Sequence, residues 1–398
     1  MKILVINAGS SSLKFQLMNT ATQEVLAKGL CERIGIDGRI KYSPANAEDI
    51  ERDIAMPKHS DAIRVTLDLL VSKDHGVIES MSEIEAVGHR IVHGGEKFTE
   101  SVLVTDEVIQ GIEEVCPLAP LHNPGSLSGI RACLEVVPGV PQVLVIDTAF
   151  HQTMPKKAYL YALPYHYYTE DKIRRYGAHG TSHRYVSARA AKMLGRPLEE
   201  LKIVTCHLGN GSSISAVKNG KVIDTSMGFT PLAGVPMGTR TGDMDPAVVT
   251  YLMEHHDLTP NEMDTLMNKE SGMLGVSGVS PDFRDVKKAA DAGNERAQVA
   301  LQMFDYGVTK YIGAYAAAMG GVDAIVFTAG VGENDCERRF QMTAPLGFLG
   351  VKVDAEKNQT RGKEIDISAP GATVHTLVIP TNEELVIALD TEEIVSKL

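Results

Sequence analysis

The chain has 398 residues, 43% of them hydrophobic, which is enough for about two to three domains with buried cores and excludes a disordered protein. Lys and Arg total 39 against 51 Asp and Glu, a formal net charge of −12, so neither nucleic acid nor an anionic membrane surface is expected as a partner. The apolar runs fall short of the ~20 residues that span a bilayer, and Ile3–Ile6 is too short for a signal peptide. Five scattered cysteines without a C-x-x-C pair favour neither a zinc site nor a disulfide framework, and the whole pattern predicts a cytoplasmic protein.

The predicted elements alternate between strands and helices. In the first part of the chain, Ile3–Ile6 and Leu13–Met18 predict a strand–turn–strand unit, and Val143–Ile146 predicts a buried strand that ends at Asp147. Two helices are predicted between them. Ser60 caps the first, which carries Ile63, Leu67 and Leu70, and Thr105 caps the second, which carries Ile109, Ile112 and Val115. The later part predicts a second such unit over 203–217, a long helix over 295–319, the strand Ala324–Phe327 before a glycine-rich turn, and a last helix with a capping box of Thr381 and Glu384.

An internal repeat defines the predicted architecture. Residues 3–17 and 203–217 each read as a buried strand, a turn with Asn, Gly and Ser, and a second strand. Strands that alternate with helices indicate an α/β protein. Two related halves, each opening with this unit, predict two domains with a cleft between them and a boundary near Phe150.

Two loops of the repeat are candidate phosphate sites. Asn7–Lys14 and Gly209–Ser213 are rich in Gly and Ser, whose backbone N–H groups and hydroxyls can converge on an anion, and Lys14 adds a positive charge. An ordinary polar turn is the alternative for either loop alone. The segment Gly330–Asn334, which follows a predicted strand, has the same two interpretations. The chain contains neither G-x-x-x-x-G-K-[ST] nor G-x-G-x-x-G, which excludes P-loop and Rossmann dinucleotide signatures.

Histidines and arginines are concentrated in glycine-containing segments. These are His89–Gly95, Leu121–Pro124, Arg175–His183 and Gly238–Asp243. Cations placed in such turns of an acidic protein indicate binding of an anion. Asp147 ends a buried strand, where α/β proteins commonly place catalytic groups, although a helix N-cap is an equal alternative.

Taken together, the motifs resemble one family. The segments VINAGSSSLKF, HRIVHGG, LAPLHNPG, DTAFHQTMP, RYGAHGTSHRYV, HLGNGSS, MGTRTGDMDP, FTAGVGEN and IPTNEE occur in this order along nearly the whole chain. They are similar to those of the acetate kinases, the acetokinase branch of the superfamily of sugar kinases, heat-shock chaperones and actin. The resemblance implies two duplicated actin-like, ribonuclease H-like domains. It assigns 1–150 with 382–398 to the domain that carries the acyl-substrate and metal residues, and 151–381 to the nucleotide-binding domain.

The resemblance also implies a reaction and residue roles. The reaction is phosphoryl transfer between ATP and acetate, which gives ADP and acetyl phosphate and belongs to the metabolism of acetyl-CoA. The resemblance implies Mg²⁺ as the metal ion, with Mn²⁺ as a substitute, and a homodimer as the oligomeric state. The implied catalytic residues are Asp147, His179, Arg240 and His122. The implied acyl-substrate residues are Arg90, which binds the carboxylate, and the apolar Val92, Leu121 and Pro231. The implied nucleotide residues are Lys14, His207, Leu208, Gly209, Asn210, Gly211, Asp282, Phe283, Arg284, Gly330, Val331, Gly332, Glu333 and Asn334, and the implied metal residues are Asn7 and Glu383.

Two alternatives stay open at this point. Ala178 stands where many relatives carry Phe, and a smaller side chain leaves room for propionate, which an apolar pocket separates from acetate by only ~1–3 kcal/mol. A chaperone-type or actin-like ATPase would need the two phosphate loops but not the joint presence of Arg90, His122, His179 and Arg240. Because acetate is already ionised at pH 7, we expect Asp147 to orient a metal or a cation during direct in-line transfer.

Overall fold

The computed structural model describes residues 1–120 and 122–398. Elements up to residue 150 are β1 (Lys2–Ala8), β2 (Leu13–Asn19), β3 (Glu24–Glu32), β4 (Arg39–Pro44), β5 (Ile50–Asp53), α1 (His59–Leu70), β6 (Ala86–Ile91), β7 (Val102–Leu103), α2 (Asp106–Glu114), α3 (Asn123–Val136) and β8 (Gln142–Ile146). Those that follow, up to residue 225, are α4 (Lys156–Tyr159), α5 (His166–Thr169), α6 (Gly180–Leu194), β9 (Lys202–Leu208), β10 (Ser212–Lys218) and β11 (Lys221–Thr225).

The remaining elements complete the chain. They are α7 (Ala247–His255), α8 (Pro260–Lys269), α9 (Gly272–Ser277), α10 (Phe283–Asp291), α11 (Glu295–Met319), β12 (Ala324–Thr328), α12 (Ala329–Asn334), α13 (Cys336–Thr343), β13 (Ile365–Asp366), β14 (His375–Val378) and α14 (Glu383–Val395). Over the described residues, none of these helices has the length and apolarity needed to cross a membrane.

The chain divides into two compact units. The first consists of Met1–Phe150 with Asn382–Leu398, and the second of His151–Thr381. The sheet of the first unit has the strand order β5-β4-β3-β2-β1-β6-β8-β7. Its hairpin β1–β2 is antiparallel, whereas β1, β6 and β8 run parallel. Alternate residues of β1, such as Leu4 and Ile6, pack with α1 and α3 in one hydrophobic core.

Helix α14 closes the first unit by packing on β6 and β8. A Cβ atom at Gly88 of β6 would lie 2.5 Å from Thr391 Oγ1 and 2.7 Å from Ile387 Cγ2. Only glycine therefore permits this close approach of helix and strand. The approach holds the helix N-terminus, with Glu383, near the strands that carry Asn7 and Arg90.

The sheet of the second unit repeats the first. Its strand order is β11-β10-β9-β12-β14-β13, and β9–β10 is an antiparallel hairpin beside the parallel strands β9, β12 and β14. The series β3-β2-β1-β6-β8 and β11-β10-β9-β12-β14 thus have the same order and directions. The predicted duplicated α/β fold is confirmed.

The two faces of the second sheet differ in chemistry. Val204, Cys206, Leu208, Ile214 and Ala216 point into a hydrophobic core that includes residues of α10 and α11. On the other face, Ile203 and Val217 are apolar, whereas the positions nearer the Gly209–Gly211 loop are polar: Thr205, His207, Ser213 and Ser215. Polar side chains of α6 bond to this polar face, so a hydrogen-bonded layer lies under the candidate site.

Three local predictions are wrong: two helix caps lie at neighbouring residues, and one predicted turn is a short helix. Ser60 lies inside the first turn of α1, which is capped instead by the backbone of Lys58 bonded to Asp61 at 2.9 Å. The last helix begins at Glu383 with Asn382 as its cap, because the Asn382 side chain accepts from the N–H of Leu385 at 3.1 Å. The glycine-rich turn after β12 is the short helix α12. The Thr105 cap and the 295–319 helix are confirmed.

Candidate active site

In the first unit, the candidate phosphate loop is the turn between β1 and β2. Asn7, near the end of β1, pairs across the hairpin with Lys14, and the Gly9 N–H donates to the carbonyl of Ser12 at 2.8 Å. A Cβ atom at Gly125 would lie 2.8 Å from the Ser10 nitrogen. The start of α3 therefore lies directly against this loop.

Arg90 and Asp147 form an ion pair at the ends of two neighbouring parallel strands. Arg90 lies in β6, Asp147 follows β8, and the Asp147 N–H donates to the carbonyl of Ile91 at 2.8 Å. Arg90 Nε and Nη2 donate to Asp147 Oδ2 at 3.1 and 2.7 Å. Asp147 is 1% exposed, and its negative charge is the main reason that the pKa of Arg90 is raised. Arg90 is therefore a cation whose orientation is set by Asp147.

Glu383 joins the same group of side chains. Asn7, Lys14, Arg90 and Glu383 all line one small cavity of the first unit. The pKa of Glu383 is raised to about 7, mainly by burial; Arg90 and Lys14 act to lower it, and the carboxylates of Asp147 and Glu384 act to raise it. Lys14 is ion-paired with Glu384. The narrow space is thus lined by two carboxylates, Glu383 and Glu384, and by two cations, Arg90 and Lys14. A further cation beside Glu383 would favour its ionised form.

This donor set suits a small divalent cation. Mg²⁺ takes oxygen ligands and commonly uses one or two carboxylates together with phosphate oxygens and water. The Glu383 carboxylate and the Asn7 amide provide oxygens on one cavity. Over the described ranges, no cluster of three or more His, Cys, Asp or Glu side chains forms a self-sufficient metal cage.

The remaining predicted residues of the first unit lie near the start of α3. His122 is the residue before this helix. The buried Asn123 bonds to the backbone N–H and carbonyl of His93 at 3.2 and 2.8 Å, which ties the segment after β6 to α3. Val92 precedes His93 and is half-buried. Leu121 lies outside the described residues.

In the second unit, two glycine segments meet at the carboxyl ends of parallel strands. His207 of β9 pairs with Thr328 of β12, so the loop Gly209–Gly211 and the helix α12 follow the strands at the same edge. A Cβ atom at Gly209 would lie 4.0 Å from the Gly330 nitrogen. Of the other nucleotide candidates here, Leu208, Val331 and Gly332 are buried, whereas Gly330 and Asn334 are exposed.

The Glu333 side chain binds backbone N–H groups at this edge of the sheet. Its carboxylate accepts from the N–H groups of Ala329 at 2.8 Å and Thr381 at 3.2 Å. Asn334 Nδ2 donates to the Gly330 carbonyl at 3.0 Å. These contacts shape α12, so the two side chains support the segment on which Gly330 is presented.

Asp282, Phe283 and Arg284 form the start of α10. The Asp282 carboxylate accepts from the backbone N–H and side chain of Arg284, and these bonds lower the pKa of Asp282 to about 2. Phe283 is buried, with its ring centroid 4.6 Å from that of Phe304. The Gly238 N–H donates to the Asn210 carbonyl at 3.0 Å, and a Cβ atom at Gly238 would lie 2.9 Å from the Pro281 carbonyl oxygen. The start of α10 therefore lies beside the glycine loop.

His179 and Arg240 converge on Gly211. A Cβ atom there would lie 3.6 Å from His179 Nε2 and 3.7 Å from Arg240 Nη1. Arg240 Nη1 also donates to the carbonyl of Pro231 at 3.3 Å, and burial lowers the pKa of Arg240. An imidazole nitrogen and a guanidinium that flank a Gly-rich loop are suited to stabilise a phosphoryl group when the imidazole nitrogen carries a proton.

Ala178, the residue before His179, is packed inside the second unit. It is 5% exposed and forms a small hydrophobic cluster with Met227 and Met237. Arg240 Nη1 lies 3.7 Å from the sulfur of Met237. A phenylalanine at this position would therefore have to displace side chains that support Arg240.

Sequence reasoning missed the polar residues beneath His179. His183 and Ser213 are fully buried and bond to each other at 2.7 Å. Their signal was the alternation of polar residues along β9 and β10, which marks one polar sheet face.

Arg339 was also missed. It is fully buried, and its Nη1 donates to the Gly332 carbonyl at 2.9 Å, although its position in the run Cys336–Phe340 resembles an exposed helix.

Comparison with known proteins decides the family. The profile of the acetokinase family matches residues 2–389. The chain belongs to the acetokinase family. It is 59% identical over 398 residues to the acetate kinase of Desulfitobacterium hafniense strain DSM 10664 / DCB-2, with 100% of both chains covered.

Solved structures agree with this membership. The acetate kinase of Porphyromonas gingivalis superposes with a TM-score of 0.96 at 50% identity, and the propionate kinase of Francisella tularensis with 0.92 at 41%; each match covers 99% of both chains. The protein is therefore an enzyme of the acetokinase family, as its motifs predict.

Proposed function

We propose that this enzyme is an acetate kinase, which transfers the terminal phosphoryl group of ATP to the carboxylate of acetate and gives ADP and acetyl phosphate reversibly. Full-length similarity to acetate kinases supports the reaction. The observation that carries the proposal is the convergence of His179 Nε2 and Arg240 Nη1 on the Gly-rich loop at Gly211. A phosphoryl donor bound at this loop would meet both groups.

Arg90 is the proposed carboxylate-binding residue. An arginine has five N–H donors, and the contact with Asp147 uses two of them, from Nε and Nη2. The planar guanidinium can bind a second carboxylate through its other edge. The role proposed for Asp147 is to orient Arg90, since acetate needs no general base at neutral pH. His122, at the start of α3, is assigned to the same half of the site.

Asn7 and Glu383 are the proposed magnesium residues, and Lys14 is the proposed phosphate contact beside them. Bound Mg²⁺ would neutralise charge on the nucleotide phosphates. Glu383 would supply an ionised carboxylate, and Asn7 would supply an amide oxygen. Lys14 is exposed and held by Glu384, so it can exchange this partner for phosphate.

The proposed nucleotide residues of the second unit form one continuous edge. Gly209, Asn210 and Gly211 would receive the phosphates, and Gly330–Asn334 with Asp282–Arg284 would flank the nucleoside. Phe283 would contribute through its backbone, because its ring belongs to the core. His179 and Arg240 would donate to the equatorial oxygens during direct in-line transfer, where charge stabilisation matters more than covalent participation.

Acyl-chain length is the less specific part of the proposal. Val92 and Pro231 are half-buried apolar residues that, with Leu121, are assigned to the methyl pocket. Propionate kinase activity is the second candidate, because the F. tularensis propionate kinase matches at 41% identity over 99% of both chains. The higher identity to the acetate kinases of D. hafniense and P. gingivalis favours acetate. One methylene separates the two substrates by only ~1–3 kcal/mol.

A homodimer is proposed through the second unit. Helix α11 exposes Val299, Met303 and Tyr306, which lie on one helix face by their spacing. An apolar stripe of this kind is typical of a surface covered by another chain. Met303→Glu should convert a dimer into a monomer in light-scattering chromatography, and an unchanged mass would reject this surface.

A trap for acyl phosphates tests the reaction. The enzyme is incubated with MgATP, hydroxylamine and acetate, propionate or butyrate, and acyl hydroxamate and free phosphate are both measured. We expect hydroxamate in the order acetate, propionate, butyrate, in proportion to the ADP formed. Phosphate release without hydroxamate would show an ATPase, and a higher kcat/KM for propionate would show the second candidate.

A further inference from the structure

A row of four side chains leads from the sheet interior to His179. Thr205 Oγ1 lies 2.7 Å from His183 Nδ1, His183 Nε2 lies 2.7 Å from Ser213 Oγ, and Ser213 Oγ lies 2.8 Å from His179 Nδ1. Thr205, His183 and Ser213 are fully buried. The row forms because His179 and His183 are one helical turn apart at the start of α6, above the polar face of β9 and β10.

Hydrogen counting limits the row to two arrangements. Ser213 has one hydroxyl hydrogen, so between two ring nitrogens it donates to one and accepts from the other. Burial lowers the pKa of His183 well below 6.5, and its neutral ring therefore carries one proton. If Ser213 donates to His179, then His183 donates from Nε2 and accepts from Thr205 at Nδ1. The Thr205 hydrogen then serves the 2.7 Å contact with His183 in place of the longer, 3.4 Å contact with the Ser215 carbonyl. The reverse arrangement requires a proton on His179 Nδ1.

The first arrangement suits the site. With Nδ1 of His179 accepting from Ser213, the ring proton of a neutral His179 must be on Nε2, the nitrogen beside Gly211. That edge then presents a hydrogen-bond donor to the loop. In the reverse arrangement a neutral His179 would present a lone pair there, which repels phosphate oxygens.

We propose that Ser213 is a positioning residue that holds His179 as the Nε2–H tautomer, with His183 and Thr205 fixing the direction of the Ser213 hydroxyl. This inference rests on the proposed phosphoryl-transfer function and deepens it. Ser213 acts through His179. The backbone supports the same fixed geometry, since His179 adopts a left-handed conformation, φ 58° and ψ 27°, as the residue before α6.

Ser213→Ala is the direct test, with Ser215→Ala as a matched control. Ser215 is two residues along the same strand face and is equally buried, but its hydroxyl bonds to His151 and Thr225. We expect Ser213→Ala to lower kcat about 10- to 100-fold, because a misplaced catalytic group costs rates of this order. The KM values should change less than about threefold, and Ser215→Ala should keep kcat near that of the parent. Equal kcat values for the two variants would overturn the proposal.

Two further measurements do not depend on that variant alone. In ¹⁵N-histidine-labelled parent enzyme, long-range ¹H–¹⁵N spectra should show His179 protonated at Nε2 only; a proton on Nδ1, with or without one on Nε2, would overturn the proposal. Ser213→Cys, which keeps the shape of the side chain with a somewhat larger atom and weakens the donor, should have an intermediate kcat if Ser213→Ala does not fold. A kcat equal to that of the parent would count against Ser213.

A double-mutant cycle separates this inference from the proposed function. In a His179→Ala background, Ser213→Ala should have no further effect on kcat, because Ser213 acts through His179. Additive losses would reject the positioning role while leaving the kinase function intact. If His179→Ala itself keeps the parent kcat, the proposed role of His179 fails, and the inference fails with it.

Discussion

Replacement of Arg90 should raise the KM for acetate far more than the KM for ATP. Its guanidinium is fixed by Asp147 at the ends of β6 and β8, in the unit that carries the proposed carboxylate site. Arg90→Ala removes the cation, whereas Arg90→Lys keeps the charge and loses the planar fork. The two variants therefore separate charge from geometry.

The magnitude follows from the contacts. A hydrogen bond to a charged group contributes about 1.5–3 kcal/mol, which corresponds to a rise in the acetate KM of about 10- to 150-fold in Arg90→Lys. Arg90→Ala should raise it at least as much. It would also remove the ion pair with the Asp147 carboxylate, which is 1% exposed, and loss of a buried ion pair lowers the free energy of unfolding by up to about 3–5 kcal/mol.

The assay is the hydroxamate trap over a range of acetate and ATP concentrations, with urea unfolding of each variant. Arg33→Ala is the matched control, because Arg33 also pairs with an aspartate, Asp37, in the same unit, but both side chains are exposed. It should leave both KM values unchanged. A folded Arg90→Ala enzyme with an acetate KM within twofold of the parent would refute the carboxylate assignment.

Three other predictions concern the rest of the site. Arg240→Ala should lower kcat by about 10²- to 10³-fold with a smaller effect on the acetate KM, since its contact strengthens in the transition state; a change confined to KM would contradict this. With a pKa of about 7, Glu383 is mostly protonated at pH 6 and ionised at pH 8, so the apparent Mg²⁺ affinity should fall about tenfold from pH 8 to pH 6, and Glu383→Gln should abolish this dependence. Arg339→Met should lower the free energy of unfolding by at least about 3 kcal/mol and raise the ATP KM, because it removes bonds to the carbonyls of Gly332, Asn358 and Thr360; an unchanged urea midpoint would refute it.

The repeat was the most informative signal for the fold. Two apolar strands around an Asn, Gly and Ser turn predict β1–β2 and β9–β10, because alternation and turn residues act locally. The exact cap residues of the helices were harder to predict from the sequence. Thr381, Asn382, Glu383 and Glu384 offer overlapping cap patterns, and Asn382 is the residue whose side chain reaches Leu385. Helix α12 contradicts the low helix propensity of its glycines, since Glu333 and Arg339 hold it by tertiary contacts.

The candidate site was also predictable only in part, because tertiary contacts join residues that lie far apart in the sequence. Glycine loops and clustered cations are visible in the sequence. The Arg90–Asp147 pair joins positions 57 apart and depends on the parallel pairing of β6 with β8. Ser213 and His183 are joined only when α6 covers the sheet. Ala178 shows the same limit. From the sequence, Ala178→Phe is expected to lower propionate use more than acetate use, whereas its packing against Met227 and Met237 predicts that both fall together.

The central claim is that the acetate carboxylate accepts the phosphoryl group from ATP. Its most direct measurement is NMR of the parent enzyme with MgATP and acetate labelled with ¹³C at the carboxyl carbon. We expect a carboxyl ¹³C signal split by ³¹P, together with an acyl phosphate ³¹P signal that grows in step with ADP. Inorganic phosphate as the only product, formed at a rate independent of acetate, would contradict the account.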